Sequence, residues 1–476
     1  MKNRRLPSNF SKSFFKLTAF LLAFISIQCS AIALAADNKP WRLQSLLGLP
    51  SGLSFWGEHR AHYESIDNQF RAGSVGSDQS LLLRTLLNAK WQASDRFKIH
   101  LEMIDSRVLL NDIGSRLSNN YINAAELLQG YIGWTEKNLF SEGSDSLLRM
   151  GRITLDIGSR RLIGRNGFRN APQAYTGIDW KWTASDDTQV RAIFTLPITR
   201  QPSTATELLS DKAVFDEESF DEILWGAFLS TPYLGNGAMA ELFFFGFNED
   251  DSEDRQTRNR DIYTTGLRAY RKAQSGQFDF ELETMFQLGT VRATALISDT
   301  RDLDHQAYFV HAEAGYTFPV MWRPRLLFEY DYASGDDDPN DGDSDGFDSL
   351  LGLNAGDWGP TNIYTAFVRS NLNSPGFRLK VRPAEKVTAD FAYRAIWLDS
   401  ATDAWQGASG VRDRTGGSGK FLGHQLFLTA KWNAFSNLNF AGGFFYRIDG
   451  EFQKNAPNSP RNSNTLHSYF KSTLKF

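Results

Sequence analysis

Hydrophobic and polar residues alternate with a period of two along most of this chain. Around 386–398, Val387, Ala389, Phe391, Tyr393, Ala395 and Trp397 share one face, while Thr388, Asp390, Arg394 and Leu398 share the other. Over 376–382, Phe377, Leu379 and Val381 oppose Arg378, Lys380 and Arg382. Near 53–63, Leu53, Phe55, Ala61 and Tyr63 oppose Glu58, Arg60 and His62, with His59 interrupting the apolar face. Side chains of a strand point alternately to its two faces, so each segment carries one apolar and one charged surface. A soluble sandwich could use the same alternation, but these segments run to about 9–13 residues, close to the length of a tilted membrane strand.

The apolar faces also end in rings, at Trp91, Trp134, Trp182, Trp397 and Trp432, as an interfacial aromatic girdle requires. In hydrocarbon every backbone polar group must be paired within the protein, and a closed barrel does this without an edge. Counting back from the terminus, Phe476, Leu474 and Phe470 share a face, interrupted by Ser472, which resembles the closing strand of an outer-membrane barrel. The expected fold is an all-β, transmembrane antiparallel barrel with short periplasmic turns and long extracellular loops. A strand with its connection uses about 24 residues, which gives 18 strands, or 16, since bacterial barrels take even numbers.

Polar stretches without alternation read as outer loops: 111–125, 160–178, 200–220, 248–260, 290–304, 332–360, 399–420 and 450–464. Short turns are expected at 93–96, 184–187 and 434–437, each followed by a renewed alternating strand. Residues 1–35 stand apart. Lys2, Arg4, Arg5, Lys12 and Lys16 precede an apolar run from Leu17 to Ile27, and Ala33-Leu34-Ala35 follows as a small-x-small cleavage site. This is the order of a secretory signal peptide, and the apolar run is short for a membrane anchor, which needs about 20 residues. Cys29 follows the bulky, polar Gln28, where lipid attachment would want a small residue. The barrel is therefore expected to occupy 36–476, as a multi-pass protein of the bacterial outer membrane.

Removing that segment takes away five basic and no acidic groups, and the formal net charge falls from −4 to −9. It also removes the only cysteine, so neither disulfides nor thiol chemistry remain. The seven histidines (59, 62, 100, 305, 311, 424 and 467) form no HExxH, and His59 and His62 point to opposite strand faces. No Ser–His spacing, Walker motif or dinucleotide fingerprint singles out a catalytic site, so the expectation is a channel and not an enzyme. An acidic exported chain also argues against nucleic acid as a partner.

Two charged features carry candidate chemistry. Asp336, Asp337, Asp338, Asp341, Asp343, Asp345 and Asp348 crowd 336–348, and Asp341-x-Asp343-x-Asp345-Gly346 matches the start of a calcium loop. Its twelfth position is Gly352 in place of Glu, so a solvated acidic loop competes with loop calcium; no other cofactor is called for. The second feature is basic: Arg149, Arg152, Arg160, Arg161, Arg165 and Arg169, then Arg369, Arg378, Lys380, Arg382 and Arg394. Lipid-facing arginine costs about 2–4 kcal/mol at the midplane, so these groups should face the lumen or lie in loops. There they either concentrate anions, pairing bidentately with passing carboxylates, or stiffen the wall through Arg–acid ladders.

The run Met150-Gly151-Arg152-Ile153-Thr154-Leu155, then Gly158-Ser159-Arg160-Arg161-Leu162-Ile163-Gly164 and Arg169-Asn170, resembles the "GRQ…GSRRL" segment of the alginate-export porin family. Tyr332-Ala333-Ser334-Gly335-Asp336 with Phe347-Asp348 is similar to its acidic "SGD" loop. Gly359-Pro360-Thr361-Asn362-Ile363-Tyr364, running into Arg369-Ser370-Asn371-Leu372, matches next in the same order. These matches cover about a fifth of the mature chain. The Gly/Ser-rich stretch 401–420 departs from the pattern of a well-defined gating loop.

The resemblance implies an 18-stranded channel with an electropositive, loop-gated pore that lets alginate, a linear polyuronate, leave the cell. By motif, Arg152, Arg161, Arg369 and Arg394 would line its selective zone, with Asp336 and Asp345 the functional acids of the loop. Arg60, Glu58, Arg84 and Lys90 join them as weaker candidates by strand facing, and Arg382 by its place in the basic series. Implied partners are the anionic polysaccharide, outer-membrane lipid, the barrel-assembly machinery and a periplasmic export partner. Rival readings are a general or small-anion-selective porin, and a structural or adhesive barrel.

Overall fold

The structure is a computed structural model that describes residues 42–476 except 112–114, 116, 253–254, 355, 408 and 461–463. The signal peptide expected at residues 1–35 lies outside the described residues. Eighteen antiparallel strands of the described residues form one closed wall. They are β1 (Leu53–Asp67), β2 (Asp78–Gln92), β3 (Phe97–Leu109), β4 (Asn123–Lys137), β5 (Asp145–Ile153) and β6 (Tyr175–Thr183). Next come β7 (Gln189–Pro197), β8 (Glu222–Thr231), β9 (Ala238–Glu249), β10 (Asp261–Arg271), β11 (Phe278–Arg292) and β12 (Asp302–Thr317). The last are β13 (Arg325–Ala333), β14 (Leu372–Ala384), β15 (Val387–Trp397), β16 (Phe421–Trp432), β17 (Leu438–Asp449) and β18 (Thr465–Lys475).

Each strand pairs with the next, and β1 pairs with β18 from Glu58/Lys475 to Asp67/Leu466. Phe476 completes the seam: its N–H donates to the Gly57 carbonyl at 2.9 Å, and Gly57 N–H donates to the Phe476 carbonyl at 2.7 Å. The C-terminal aromatic strand is thus the piece that removes both edges of the sheet.

The period-two pattern sorts the wall as expected. Trp91, Leu101, Ile132, Trp134, Ile178, Phe377, Phe391 and Trp432 are exposed on the outside, where lipid covers them. Arg60, Glu64, Arg84, Glu102, Glu283, Glu329, Asp331 and Arg394 are buried on the inside. Trp91, Trp134, Trp182 and Trp432 lie within four residues of strand ends at the short turns, and Trp397 ends β15 at the opposite rim, so both interfaces carry rings.

Connections alternate between short turns (such as 93–96, 184–188 and 385–386) and longer loops. The nine long loops are L1 (68–77), L2 (110–122), L3 (154–174), L4 (198–221), L5 (250–260), L6 (293–301), L7 (334–371), L8 (398–420) and L9 (450–464). L1 is not anticipated by the pattern. L7 runs eleven residues past the expected boundary at 360, because Pro360 to Asn371 fold into the lumen instead of extending along the wall. The Gly/Ser-rich L8 is ordered by a small hairpin, Ala404–Trp405 against Val411–Arg412, with Trp405 stacked on Phe70 and Phe367. Among the described residues, no helix is long and apolar enough to cross a membrane.

Candidate functional site in the lumen

L3 and L7 turn inward and meet inside the barrel. Arg60 ties L3 to the wall by donating to the carbonyls of Gly167 at 2.8 Å and Arg169 at 2.9 Å. Ser159 Oγ donates to Glu283 on β11 at 2.8 Å, so L3 spans from β1 to the far wall. L7 is held by Asn362 Nδ2 donating to Glu64 at 2.6 Å and by Gln425 Nε2 donating to the Trp358 carbonyl at 2.9 Å. Asp348 N–H donates to Gln287 Oε1, and Gln287 Nε2 returns a bond to the Asp348 carbonyl.

Unlike the polar interior usual in channel barrels, this lumen contains the main apolar core. Ile157, Leu162 and Ile163 of L3 and Phe347, Trp358, Ile363 and Phe367 of L7 pack with inward rings of the wall, including Phe243, Phe245, Phe247 and Phe309. The loops carry apolar residues that would be costly in water, and the wall supplies rings to cover them. At their meeting, Leu353 N–H donates to the Arg160 carbonyl at 2.9 Å, and Ile163 bridges Leu351. This approach demands glycine at 352: a Cβ there would lie 1.8 Å from the Arg161 carbonyl oxygen. The position that would close a calcium loop instead docks L7 on L3.

Two loop arginines are gathered around one acid. Arg161 of L3 pairs with Glu283 at 2.7 Å, with Glu281, and through Nε with Asp357 of L7 at 3.4 Å. Arg369 of L7 pairs with Asp357, donates to Asn354 Oδ1 at 2.9 Å, and sits over the Trp358 ring at 5.1 Å. Beside them is a cavity of about 560 Å³, lined in part by Arg161, Arg165, Arg268, Glu281, Asp357 and Arg369. Arg268 of β10 continues the chain of charges to Glu241 and Glu281, at 3.0 and 2.9 Å.

A second ladder runs along β13–β15. Arg394 is fully buried and pairs with Glu329 at 2.9 Å and Asp331 at 2.7 Å. It reaches them by lying across Gly376, where a Cβ would meet its Cδ at 2.5 Å. Arg378 joins the same Glu329 at 3.2 Å and Asp390 at 3.3 Å. Lumen arginines are therefore largely neutralised by wall and loop carboxylates. The ladder reading of the basic series accounts for this arrangement better than a wall of free guanidinium groups.

The other sequence candidates fall in distinct places. Glu58 and Arg84 face the lumen as a 3.0 Å pair on β1 and β2. Lys90 faces the lumen near the short-turn end, and Arg382 lies at that rim, donating to the Glu385 carbonyl at 2.7 Å. Arg152 shares the strand parity of Met150 and Ile178, opposite Thr176 and Gly130. Its guanidinium is largely buried at the loop end of β5, paired with Glu126 at 2.8 Å and Glu218 of L4 at 2.7 Å.

Loop calcium was one of two readings of the acidic run. Among the described residues, no group of three His, Cys, Asp or Glu could hold a metal ion. Asp343–Ser344 form a short parallel bridge to Asp304–His305, and Asp343 N–H donates to Asp341 Oδ1 at 2.9 Å. Asp345 serves L7 through its carbonyl, which accepts from Ser334 Oγ at 2.6 Å. Asp336 lies where L7 meets L8: its N–H donates to Asp403, and Gly335 N–H donates to Asp399 at 3.0 Å. Partial burial and the neighbouring Asp403 charge push the Asp336 carboxyl up to about 6.

Sequence reasoning missed Asp357, Glu281 and Glu283 as partners. The two glutamates were legible, since Asp279, Glu281 and Glu283 alternate with Phe278, Phe280 and Leu282. Asp357 sits in irregular chain, where no periodicity marks it. Of the lysines on the lumen wall, Lys90 and Lys380 were named from the sequence, whereas Lys98, Lys431 and Lys471 were missed. Lys90, Lys98, Lys380, Lys431 and Lys471 share the inward parity and make no ion pair among the described residues. Lys471 instead lies over the Phe168 ring of L3 at 5.0 Å.

Comparison with known proteins agrees with this architecture. A family model described as "Alginate export" matches residues 51–466. No curated protein matches the chain. Among solved structures, Acinetobacter baumannii OccAB1 is similar with a TM-score of 0.57 at 12% identity, covering 92% of this chain and 100% of that one. Pseudomonas aeruginosa OccK9 (OpdG) and OccK8 (OprE) each give a TM-score of 0.56 at 11% identity, covering 89% of this chain and 98% of theirs. At such identities the likeness shows the fold alone.

Proposed function

Because the chain belongs to the alginate export family, we propose that it is an outer-membrane channel that passes an anionic polysaccharide, with alginate or another polyuronate as cargo. The observation that carries this reading is the meeting of Arg161 and Arg369 around Asp357 where L3 joins L7 inside the barrel. A cargo carboxylate is chemically equivalent to Asp357 and can compete for the same guanidinium groups, which favour bidentate carboxylate contacts. No covalent step is needed. Cargo hops between weak sites, and each must release it for conduction to proceed.

The unpaired lumen lysines support the same polarity, since they leave positive charge on the wall after the arginines are neutralised. A second reading, a small-anion porin, is favoured by the filling of the lumen by L3 and L7, which restricts the space left for a polymer. The test is single-channel conductance and reversal potential in a planar bilayer under a KCl gradient, with and without polymannuronate. The expected result is anion preference and block by the uronate, both weakened in Arg161→Gln, Arg369→Gln and Arg394→Gln. Anion preference without uronate block supports the small-anion porin. A cation-selective, uronate-indifferent pore overturns the polyuronate reading, and absence of conductance points to a structural barrel.

A further inference from the structure

Trp56 differs both from the rings of this wall that face lipid and from the inward rings that L3 and L7 cover. It lies on the inward parity of β1, opposite the buried Asn88, yet it is 40% exposed. Lipid cannot reach that side, so the girdle explanation that fits Trp91 and Trp134 does not apply. Its indole is stacked on His100, with centroids 5.6 Å apart and planes 10° apart, and among the described residues no other ring covers it. The support beneath it is rigid. His100 is fixed by a 3.0 Å hydrogen bond with Asn88 and by Tyr131, edge-on at 5.3 Å. Tyr131 in turn carries the Arg149 guanidinium at 5.5 Å.

Two lysines that make no ion pair among the described residues flank this platform. Lys90 is directly opposite His100 in the β2–β3 register. Lys98 lies across Gly133 towards Arg149, and a Cβ on Gly133 would meet its Cε at 2.6 Å. Both lysines are within three residues of the 93–96 turn, so the platform sits at the short-turn mouth, which faces the periplasm in outer-membrane barrels. Elsewhere in the lumen, most arginines are matched by carboxylates, and the apolar rings of the core pack with L3 and L7. Here an open indole face lies together with two ammonium groups that make no ion pair among the described residues.

We infer that Trp56, Lys90 and Lys98 form a carboxylated-sugar subsite at the periplasmic mouth, where one uronate residue is held before reaching the L3–L7 junction. The flat C–H face of a pyranose stacks on the indole, and its carboxylate lies against the lysines. This inference rests on the polyuronate reading and adds to it the point of first capture. Neutral sugars would gain only the stacking, and small anions only the charge. A saccharide carrying both is what the site selects.

The experiment uses the purified full chain in detergent and in bilayers, with hexamannuronate as probe and maltohexaose as the neutral control. Trp56→Ala is expected to raise the dissociation constant for hexamannuronate by roughly two- to tenfold, the range for loss of one aromatic contact. Trp56→Phe restores most of it. Lys90→Gln with Lys98→Gln weakens hexamannuronate and leaves maltohexaose unchanged. Retained heat-modifiable gel migration of each variant identifies a closed barrel. If the native chain binds hexamannuronate and Trp56→Ala binds it equally well, the mouth subsite is wrong while the polyuronate reading stands. If the native chain binds no uronate, both fall.

Discussion

Neutralising Asp357 tests whether the L3–L7 junction controls ion passage. Asp357→Asn keeps the shape and removes one negative charge from between Arg161 and Arg369. The loops should stay in place. Arg369 retains the Leu353 carbonyl and Asn354, Arg161 retains Glu281 and Glu283, and Leu353 N–H still donates to the Arg160 carbonyl. The stability cost is therefore that of one weakened buried donor set, about 1–3 kcal/mol. The effect on a passing anion is larger in proportion. At about 6 Å, one unit charge is worth roughly 0.7 kcal/mol at the dielectric constant of water and about 2.8 kcal/mol at an effective value of 20. That range corresponds to about a three- to hundredfold rise in anion occupancy. The assay is reversal potential in a planar bilayer under a KCl gradient, at low and high salt, since screening should shrink the effect. A variant with normal conductance and unchanged selectivity would place Asp357 off the conduction path and refute the reasoning.

Three further outcomes follow from the same contacts. Arg394→Met takes one cation from a buried cluster in which Glu329 keeps Arg378 and Asp331 keeps His311, and the resulting excess negative charge should cost about 3–5 kcal/mol in urea unfolding from lipid vesicles; a loss under 1 kcal/mol would deny the ladder its structural role. Ile178→Arg puts a guanidinium on the lipid face of β6 and should cost about 2–4 kcal/mol if that position is near the midplane, with little change in conductance if any folds. The L7–L8 contact should depend on pH through Asp336. Its carboxyl is raised in the folded state, so its contribution is fully present below the unfolded value near 4 and is lost as pH rises through about 6. Hydrogen exchange in L7 and L8 should accelerate between pH 5 and 7.5, and Asp336→Asn should abolish the difference.

The wall was legible because its physics is local. Phe377, Leu379 and Val381 against Arg378, Lys380 and Arg382 is a period-two statement that only a strand with two unlike faces satisfies, and the structure places those faces on lipid and lumen. The seam at Phe476 was legible for the same reason. The partners of Arg152 were not legible, because Glu218 comes from L4. No strand pattern records a loop that arrives 66 residues later in the chain. Likewise the inward fold of Pro360 to Asn371 depends on Glu64, Gln425 and Phe309, which come from three distant strands. Trp56 was hidden by its residue type, which suggests the girdle, although its parity with Glu58, Arg60 and His62 points inward as its register with Asn88 does.

The distribution of partners changes what the charges can be expected to do. A guanidinium matched by a nearby carboxylate contributes little field a few ångströms away, whereas an unmatched ammonium contributes all of its charge, reduced only by screening. Arg161 and Arg369 share Asp357, and Arg161 also has two glutamates, so their main effect is to hold L3 against L7. Lys90, Lys98, Lys431 and Lys471 have no such partners among the described residues, and they lie on β2, β3, β16 and β18, away from the Arg394 ladder. On this reasoning the arginines set whether the junction opens, and the lysines set which sign of charge approaches it. Removing any cation shifts reversal potential in the same direction, so selectivity alone does not separate the two roles. Open probability does, because only the arginines couple the two loops.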